Sequence, residues 1–277
     1  MSPAGYISDK CFKVPKVTDP DYINILLGIC KDNAIRIVVP TIDTELLSLS
    51  RNKKLFESNN IYIIVPDEGF VTICRDKRLT SDFFQMHDIK VPKPIDINNP
   101  TFPIFAKPFD GSLSTDIHLI NSMDEITGSI LNDKKLIFME CIDKSRFKEY
   151  TIDMYYGRDN LVKCIIPRER IEVRAGEINK GRTHKDYLVN YIKERFGRIE
   201  GCVGCICMQV FYDEVSKDVI GIEINPRFGG GFPLSYKAGG NYPEWIIKEY
   251  LYNEPLGYFE DWKDNLLMLR YDEAVFV

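Results

Sequence analysis

The sequence predicts an α/β unit followed by a larger α+β portion. Two features carry that expectation. IRIVVP (35–40) and IYIIVP (61–66) are short apolar runs, each closed by proline, with a helical pattern between them. Strand, helix, strand at this spacing marks a parallel crossover unit. Further on, EYTIDMYYG with NLVKCIIPRERIEV, and GCICMQVFY with VIGIEINP, are long runs joined by polar turns, as antiparallel hairpins are. The chain has 277 residues, 44% of them apolar, enough for a sizeable core and about two domains.

The remaining elements follow in order. TIDTELLSLSRNKKLFES has helical spacing, with Thr41 or Asp43 as candidate N-caps. RDKRLTSDFFQMHDI (75–89) reads as an amphipathic helix. VPKPIDINNP (91–100) is dense in proline and asparagine and reads as a linker. The domain limits are placed there: residues 1–90, then 91–277. FPIFAKPFDGSLSTDIHLI holds two strands around a small-residue loop, MDEITGSILND is a helix, and KLIFMECI is a strand. HKDYLVNYIKERFG and NYPEWIIKEYLY are helices, the second with Pro243 near its first turn, and LLMLRYDEAVFV supplies a closing strand.

Composition narrows the function. Net charge is -5 and no basic tract stands out, which argues against nucleic acid as a partner. No apolar run reaches about 18 residues, so no membrane span is expected. The first residues lack the apolar segment of a signal peptide, and eight cysteines in such a chain suggest reduced thiols and a cytoplasmic location. CVGCIC (202–207) contains a zinc half-motif, but no second half follows, and the segment reads as a buried strand in which cysteine packs as a small hydrophobe.

The chemistry concentrates in GIEINPRFGGG (221–231). Strand side chains alternate faces, so Glu223, Asn225 and Arg227 point the same way, ahead of a run of glycines. Gln209 lies on the partner strand of this hairpin and brings a third oxygen-bearing side chain. One carboxylate and two carboxamides are hard donors suited to Mg2+ when a nucleotide supplies most of the negative charge. In AKPFDGSLS (106–114), Lys107 ends a strand and Gly111, Ser112 and Ser114 follow in a loop whose N–H groups can wrap phosphates. It is not a P-loop. FMECI (138–142) offers backbone groups at a strand end for a base, and Glu149 can accept from a ribose. Arg168, Arg170 and Arg174 alternate along one strand and form a positive face, balanced by Glu169, Glu172 and Glu177.

Taken in this order, the pieces resemble the ATP-grasp superfamily, and within it the synthetase domains of carbamoyl phosphate synthase and biotin carboxylase-type ligases. EINPRFGGG is the most specific piece. DK at 76–77, AKP with its Gly/Ser loop, MECI, EYTID and the Gln209 strand support it. The resemblance implies a Rossmann-like pre-ATP-grasp domain and two lobes gripping ATP, the small lobe at about 100–142 and the large one at about 143–277. It implies that Lys77 and Lys107 contact phosphate, that Gly111, Ser112 and Ser114 belong to the mobile phosphate loop, and that Glu140, Cys141 and Ile142 form the adenine hinge. It further implies that Glu149 holds the ribose and that Gln209, Glu223 and Asn225 hold Mg2+, with room for two ions and with Mn2+ as a substitute. Arg227 would steady the transferring phosphoryl group alongside Lys107 and Asn225, and Arg168 and Arg174 are the weaker candidates for anchoring substrate. The glycines would let the backbone approach that substrate.

The implied activity is ligation of a small-molecule carboxylate to an amine or other nucleophile through an acyl phosphate. Members often dimerise, which leaves a homodimer open. They also open with a strand, a glycine-rich turn and a helix, whereas this sequence begins inside that unit, so a truncation or a separate partner is expected to account for it. The rival reading is a nucleotide-binding subunit or pseudoenzyme of the same fold. A dinucleotide-binding oxidoreductase would need a G-x-G-x-x-G after its first strand, and none is present.

Overall fold

A computed structural model describes residues 3–111, 116–174 and 176–276. The chain opens with α1 (Ala4–Ile7), α2 (Tyr22–Asp32), β1 (Ile37–Val38), α3 (Asp43–Arg51), α4 (Lys53–Glu57) and β2 (Tyr62–Ile63). The two proline-closed runs pair in parallel, Ile37 opposite Tyr62 and Val38 opposite Ile63. Their apolar side chains and those of the helices bury one core, which includes Leu46, Leu49, Phe56, Ile63 and Val65. The N-cap of α3 is neither Thr41 nor Asp43 but Ile42. Glu45 reaches back instead, its Oε1 accepting from the backbone N–H groups of Thr41 (3.0 Å) and Ile42 (3.4 Å), so the acid three residues into the helix does the capping.

α5 (Glu68–Arg75) and α6 (Lys77–Met86) come next. The helix expected over 75–89 forms as α6, starting at Lys77, and α5 precedes it. Asp76 adopts an extended backbone and its carboxylate accepts from Arg78 N, which starts a new helix at Lys77. β3 (Ile104–Pro108), β4 (His118–Ile120), α7 (Gly128–Asn132) and β5 (Leu136–Glu140) build a small antiparallel sheet in the order β4-β3-β5. MDEITGSILND is not one helix: a 3-10 turn at Met123–Glu125 precedes α7, whose first turn Thr127 caps by accepting from Ile130 N. Ile104, Ala106, Ile120, Ile130 and Leu136 bury the core of this unit.

The rest of the chain forms β6 (Lys148–Tyr156), β7 (Val162–Arg174), β8 (Glu177–Thr183), α8 (Tyr187–Phe196), β9 (Gly204–Tyr212), β10 (Val219–Asn225), α9 (Phe232–Ala238), α10 (Tyr242–Leu251) and β11 (Leu267–Leu269). The six strands make one sheet, ordered β10-β9-β6-β7-β8-β11. One face is a large apolar core containing Tyr150, Ile152, Met154, Met208, Val210 and the buried side of α8. α5 and α6 pack there as well, through Phe70, Phe83 and Phe84. A fully buried side chain of this size contributes about 1.5–3 kcal/mol, so α6 is anchored to the large sheet. α1, α2, α5, β8 and α9 had no counterpart in the sequence reading. Among the described residues no helix is long and apolar enough to cross a membrane.

Candidate active site

A β-bulge decides which side chains meet. β10 runs antiparallel to β9 with Gly221 opposite Val210, and the register then slips so that Glu223 stands opposite Gln209 and Asn225 opposite Cys207. Ile222 is the extra residue. Without it Ile222 would take the place opposite Gln209, and Glu223 would project from the other face. The bulge puts Glu223, Asn225 and Gln209 on one face, which continues across β6 and β7 because Gln209 is opposite Thr151 and Thr151 opposite Arg168.

That face borders a cavity of about 1020 Å3. Lys107 and Phe105 of β3 and Met139 and Glu140 of β5 face it, followed by Cys141 and Ile142. Asp43 and Thr44 from α3, Cys74 and Arg75 from α5, and Lys77 from α6 close another side, and the 226–231 turn closes a third. Of the residues singled out in the sequence, the cavity lining includes Lys77, Lys107, Gly111, Glu140, Cys141, Ile142, Glu149, Arg168, Gln209, Glu223, Asn225 and Arg227. Ser112 and Ser114 lie outside the described residues.

Glu223 is the hub of the polar face. Its Oε1 accepts from Gln209 Nε2 at 2.8 Å and from Asn225 Nδ2 at 3.0 Å. Lys107 is 7% exposed. Burial pulls its ammonium down to about 8, with Glu223 opposing that pull and Lys77 adding to it. Lys77 is also lowered, first by burial, and its Nζ donates to the Gly111 carbonyl at 2.5 Å. The two lysines thus share the field of Glu223, with Asp110 and Asp43 also acting on Lys77 and Glu149 on Lys107. Glu149 pairs with Arg170 Nε at 2.8 Å, and Glu140 Oε1 accepts from the Lys93 backbone at 3.0 Å.

One expectation needs correction, and two others gain detail. Arg174 is not on the cavity. Register shifts between Arg170 and Glu172 and between Glu172 and Val173 break the alternation, and the exposed Arg174 pairs with Asp272 instead. Arg168 borders the cavity but is not a free anchor. It is 1% exposed, and Asp153, itself fully buried, takes its Nε at 2.7 Å and its Nη2 at 2.9 Å. Ser235 Oγ and Cys207 Sγ donate to the same carboxylate. The glycine run, lastly, borders the cavity and also packs closely on protein. A Cβ on Gly231 would sit on Arg168 Nη1, one on Gly230 on the Glu177 carboxylate, and one on Gly229 at 2.9 Å from Cys207 Sγ. The glycines let the turn lie flat on the polar face.

Arg227 follows the strand rather than extending it. β10 ends at Asn225, Pro226 turns the chain, and Arg227 N donates back to Asn225 O at 2.8 Å. The guanidinium then crosses to α3, where Asp43 takes it bidentately at 2.8 and 2.7 Å. Sequence reasoning missed Asp43, Glu177 and the Arg168–Asp153 pair. An acid in the first turn of a helix, as Asp43 is, reads equally well as a partner of the helix dipole. Among the described residues no group of three or more His, Cys, Asp or Glu side chains is placed to hold a metal ion. The oxygen-donor set thus depends on its two carboxamides.

Residues 132–271 match the family model described as ATP-grasp in the biosynthetic pathway with Ter operon, and residues 1–64 match that of the PylC-like N-terminal domain. The chain belongs to the ATP-grasp family. The fold agrees with solved structures. The biotin carboxylase domain dimer of 2-oxoglutarate carboxylase from Hydrogenobacter thermophilus, solved with MgADP, ADP and bicarbonate, is similar with a TM-score of 0.71 at 14% identity, over 95% of this chain and 64% of that one. L-amino acid ligase from Bacillus licheniformis is similar with a TM-score of 0.64 at 15% identity, over 90% and 64%. N5-carboxyaminoimidazole synthetase from Staphylococcus aureus, complexed with ADP, is similar with a TM-score of 0.64 at 17% identity, over 85% and 64%. This ATP-grasp chain thus spans less than two thirds of the length of the structures it matches. No curated protein matches it.

Proposed function

We propose that the chain is an ATP- and Mg2+-dependent ligase that joins a small-molecule carboxylate to an amine through an acyl phosphate, releasing ADP and phosphate. The observation that carries this reading is the meeting, around one cavity, of the buried Lys107, the half-buried Lys77, an oxygen-donor set centred on Glu223, and Arg227. Lys77 and Lys107 bring two cations to one cavity, and a nucleotide's phosphates are their proposed partners. The end of β5 with Glu140, Cys141 and Ile142 is the proposed adenine hinge, and Glu149 the proposed ribose acceptor. Two of the solved relatives named above hold ADP, one of them with magnesium, which supports the nucleotide and metal assignment.

The donor chemistry fits Mg2+. Glu223 brings one carboxylate, and Gln209 and Asn225 lie within hydrogen-bond reach of it. Hard oxygen donors in this number suit a metal that keeps phosphate or water as its other ligands. When bound, Mg2+ neutralises charge on the phosphate oxygens. The side chains supply position and fixed charge: the lysines orient the phosphates, and Arg227 stabilises charge that develops on the group in transfer. A carboxylate oxygen of the acid attacks the terminal phosphorus, forming the acyl phosphate O–P bond as the bond to ADP breaks. The amine nitrogen then attacks the acyl carbon, phosphate leaves with its electron pair, and the nitrogen loses a proton. No side chain is needed as a covalent nucleophile.

The test is phosphate release from Mg·ATP with paired panels of carboxylic acids and amines, on wild type and Glu223→Ala. The expected result is release that an acid and an amine stimulate together, at least about 100-fold weaker in the variant. ATP binding with no stimulation by any pair would favour the nucleotide-binding subunit instead.

A further inference from the structure

Asp43 is the first residue of α3, and the helix does not use it as a cap, because Glu45 already takes the N–H groups of Thr41 and Ile42. Its carboxylate points into the cavity and meets an arginine 184 positions further along the chain. Both partners are largely shielded, with side-chain exposures of 15% for Arg227 and 16% for Asp43. A pair this far out of water, held bidentately, fixes a guanidinium plane far better than a surface ion pair does.

The donor count makes the arrangement directional. A guanidinium has five N–H groups. Asp43 takes one on Nε and one on Nη2, and the Phe228 carbonyl takes one on Nη1 at 3.0 Å. Two N–H groups remain, one on each terminal nitrogen. The side edge of the fork is thus tied to the N-terminal portion of the chain and the terminal nitrogens keep a pair of donors for a ligand. Arg227 comes from the turn after β10 and Asp43 from α3, so neither element alone sets this orientation.

We propose that Asp43 is a positioning residue: it holds Arg227 in the orientation that receives a transferring phosphoryl group, and so makes that step depend on the N-terminal portion of the chain. This rests on the ligase reading above. The class of ligand is a trigonal, highly charged phosphoryl group rather than the nucleotide as a whole.

The test uses Mg·ADP with and without aluminium fluoride, which imitates a phosphoryl group in flight and needs no knowledge of the acid. Binding is measured on the full chain for wild type, Asp43→Asn, Arg227→Ala and the double variant, with a thermal melt to establish that each is folded. In wild type, aluminium fluoride tightens ADP at least about 100-fold. Arg227→Ala removes most of that tightening, Asp43→Asn removes about 10-fold of it, and the double variant is no worse than Arg227→Ala. ADP alone binds all four within about twofold, which a general loosening of the site would not give. Undiminished tightening in Asp43→Asn, equal loss of ADP affinity with and without the mimic, or additive losses would each overturn the assignment. Absent tightening in wild type would overturn the ligase reading itself, an outcome the wild-type measurement separates from the others.

Discussion

Lys107, the proposed phosphate contact, carries its charge at a cost to the ligand-free protein. Its folded value of about 8 lies below the ordinary 10.5 because burial disfavours its charge. Below pH 8 the native state carries that charge at full cost. Between about 8 and 10.5 the native lysine is neutral while the unfolded one still binds a proton, so the ligand-free protein gains stability as pH rises through this window. Lys107→Met is expected to stabilise the ligand-free protein at pH 7 by roughly 1–3 kcal/mol and to weaken ATP binding at least about 10-fold. Thermal melts and ATP titration check both halves, and a lower melting temperature in the variant would contradict the first. Lys107, Gln209, Glu223 and Asn225 stood out in the sequence by residue type and by the resemblance, whereas the register that sets Glu223 opposite Gln209 was not legible there. Asp43, Glu177 and Asp153 did not stand out. Their partners Arg227, Gly230 and Arg168 lie on other elements, and a carboxylate's partner across a fold leaves no trace in local spacing.

At the scale of elements, the bulge in β10 is what turns a hairpin into a site. Gly221 stands at its edge, and a Cβ there would lie 2.6 Å from the Phe84 ring of α6. The same residue donates its N–H to Lys90 O at 2.8 Å. Gly221→Ala must push α6 or β10 away, at a cost of about 1–3 kcal/mol, and disturbs the register that sets Glu223 opposite Gln209. The expected outcome is a lower melting temperature together with weaker binding of Mg·ATP. Loss of stability with full ATP affinity would show that the register is not what matters. Most strands and helices could be read from the sequence because their apolar periods are clear. β8 escaped because EINKGRT is mostly polar and rests on β7 and β11 for its place. α9 escaped because it begins directly after a glycine run with Pro233 in its first turn, a pattern that reads as loop until packing selects helix. The bulge itself is a single residue's slip, and alternation alone predicts continuous pairing.

For the molecule as a whole, the cavity is where three separately cored parts meet. α3 belongs to the first core, β3 to the small sheet, and β9 and β10 to the large one. The bidentate Asp43–Arg227 pair ties the first to the third, and the Lys77–Gly111 hydrogen bond ties α6 to the end of the small sheet. Such a layout suits a reaction in which charge must be gathered from several sides around one transferring group. The central claim is that this group passes from ATP to a carboxylate before the amine attacks. Its most direct test is to supply the acid labelled with 18O in both carboxylate oxygens and to analyse the phosphate released during turnover. The account predicts one labelled oxygen in each phosphate, carried there when the acyl phosphate is broken. Phosphate free of label, with product still formed, would contradict it.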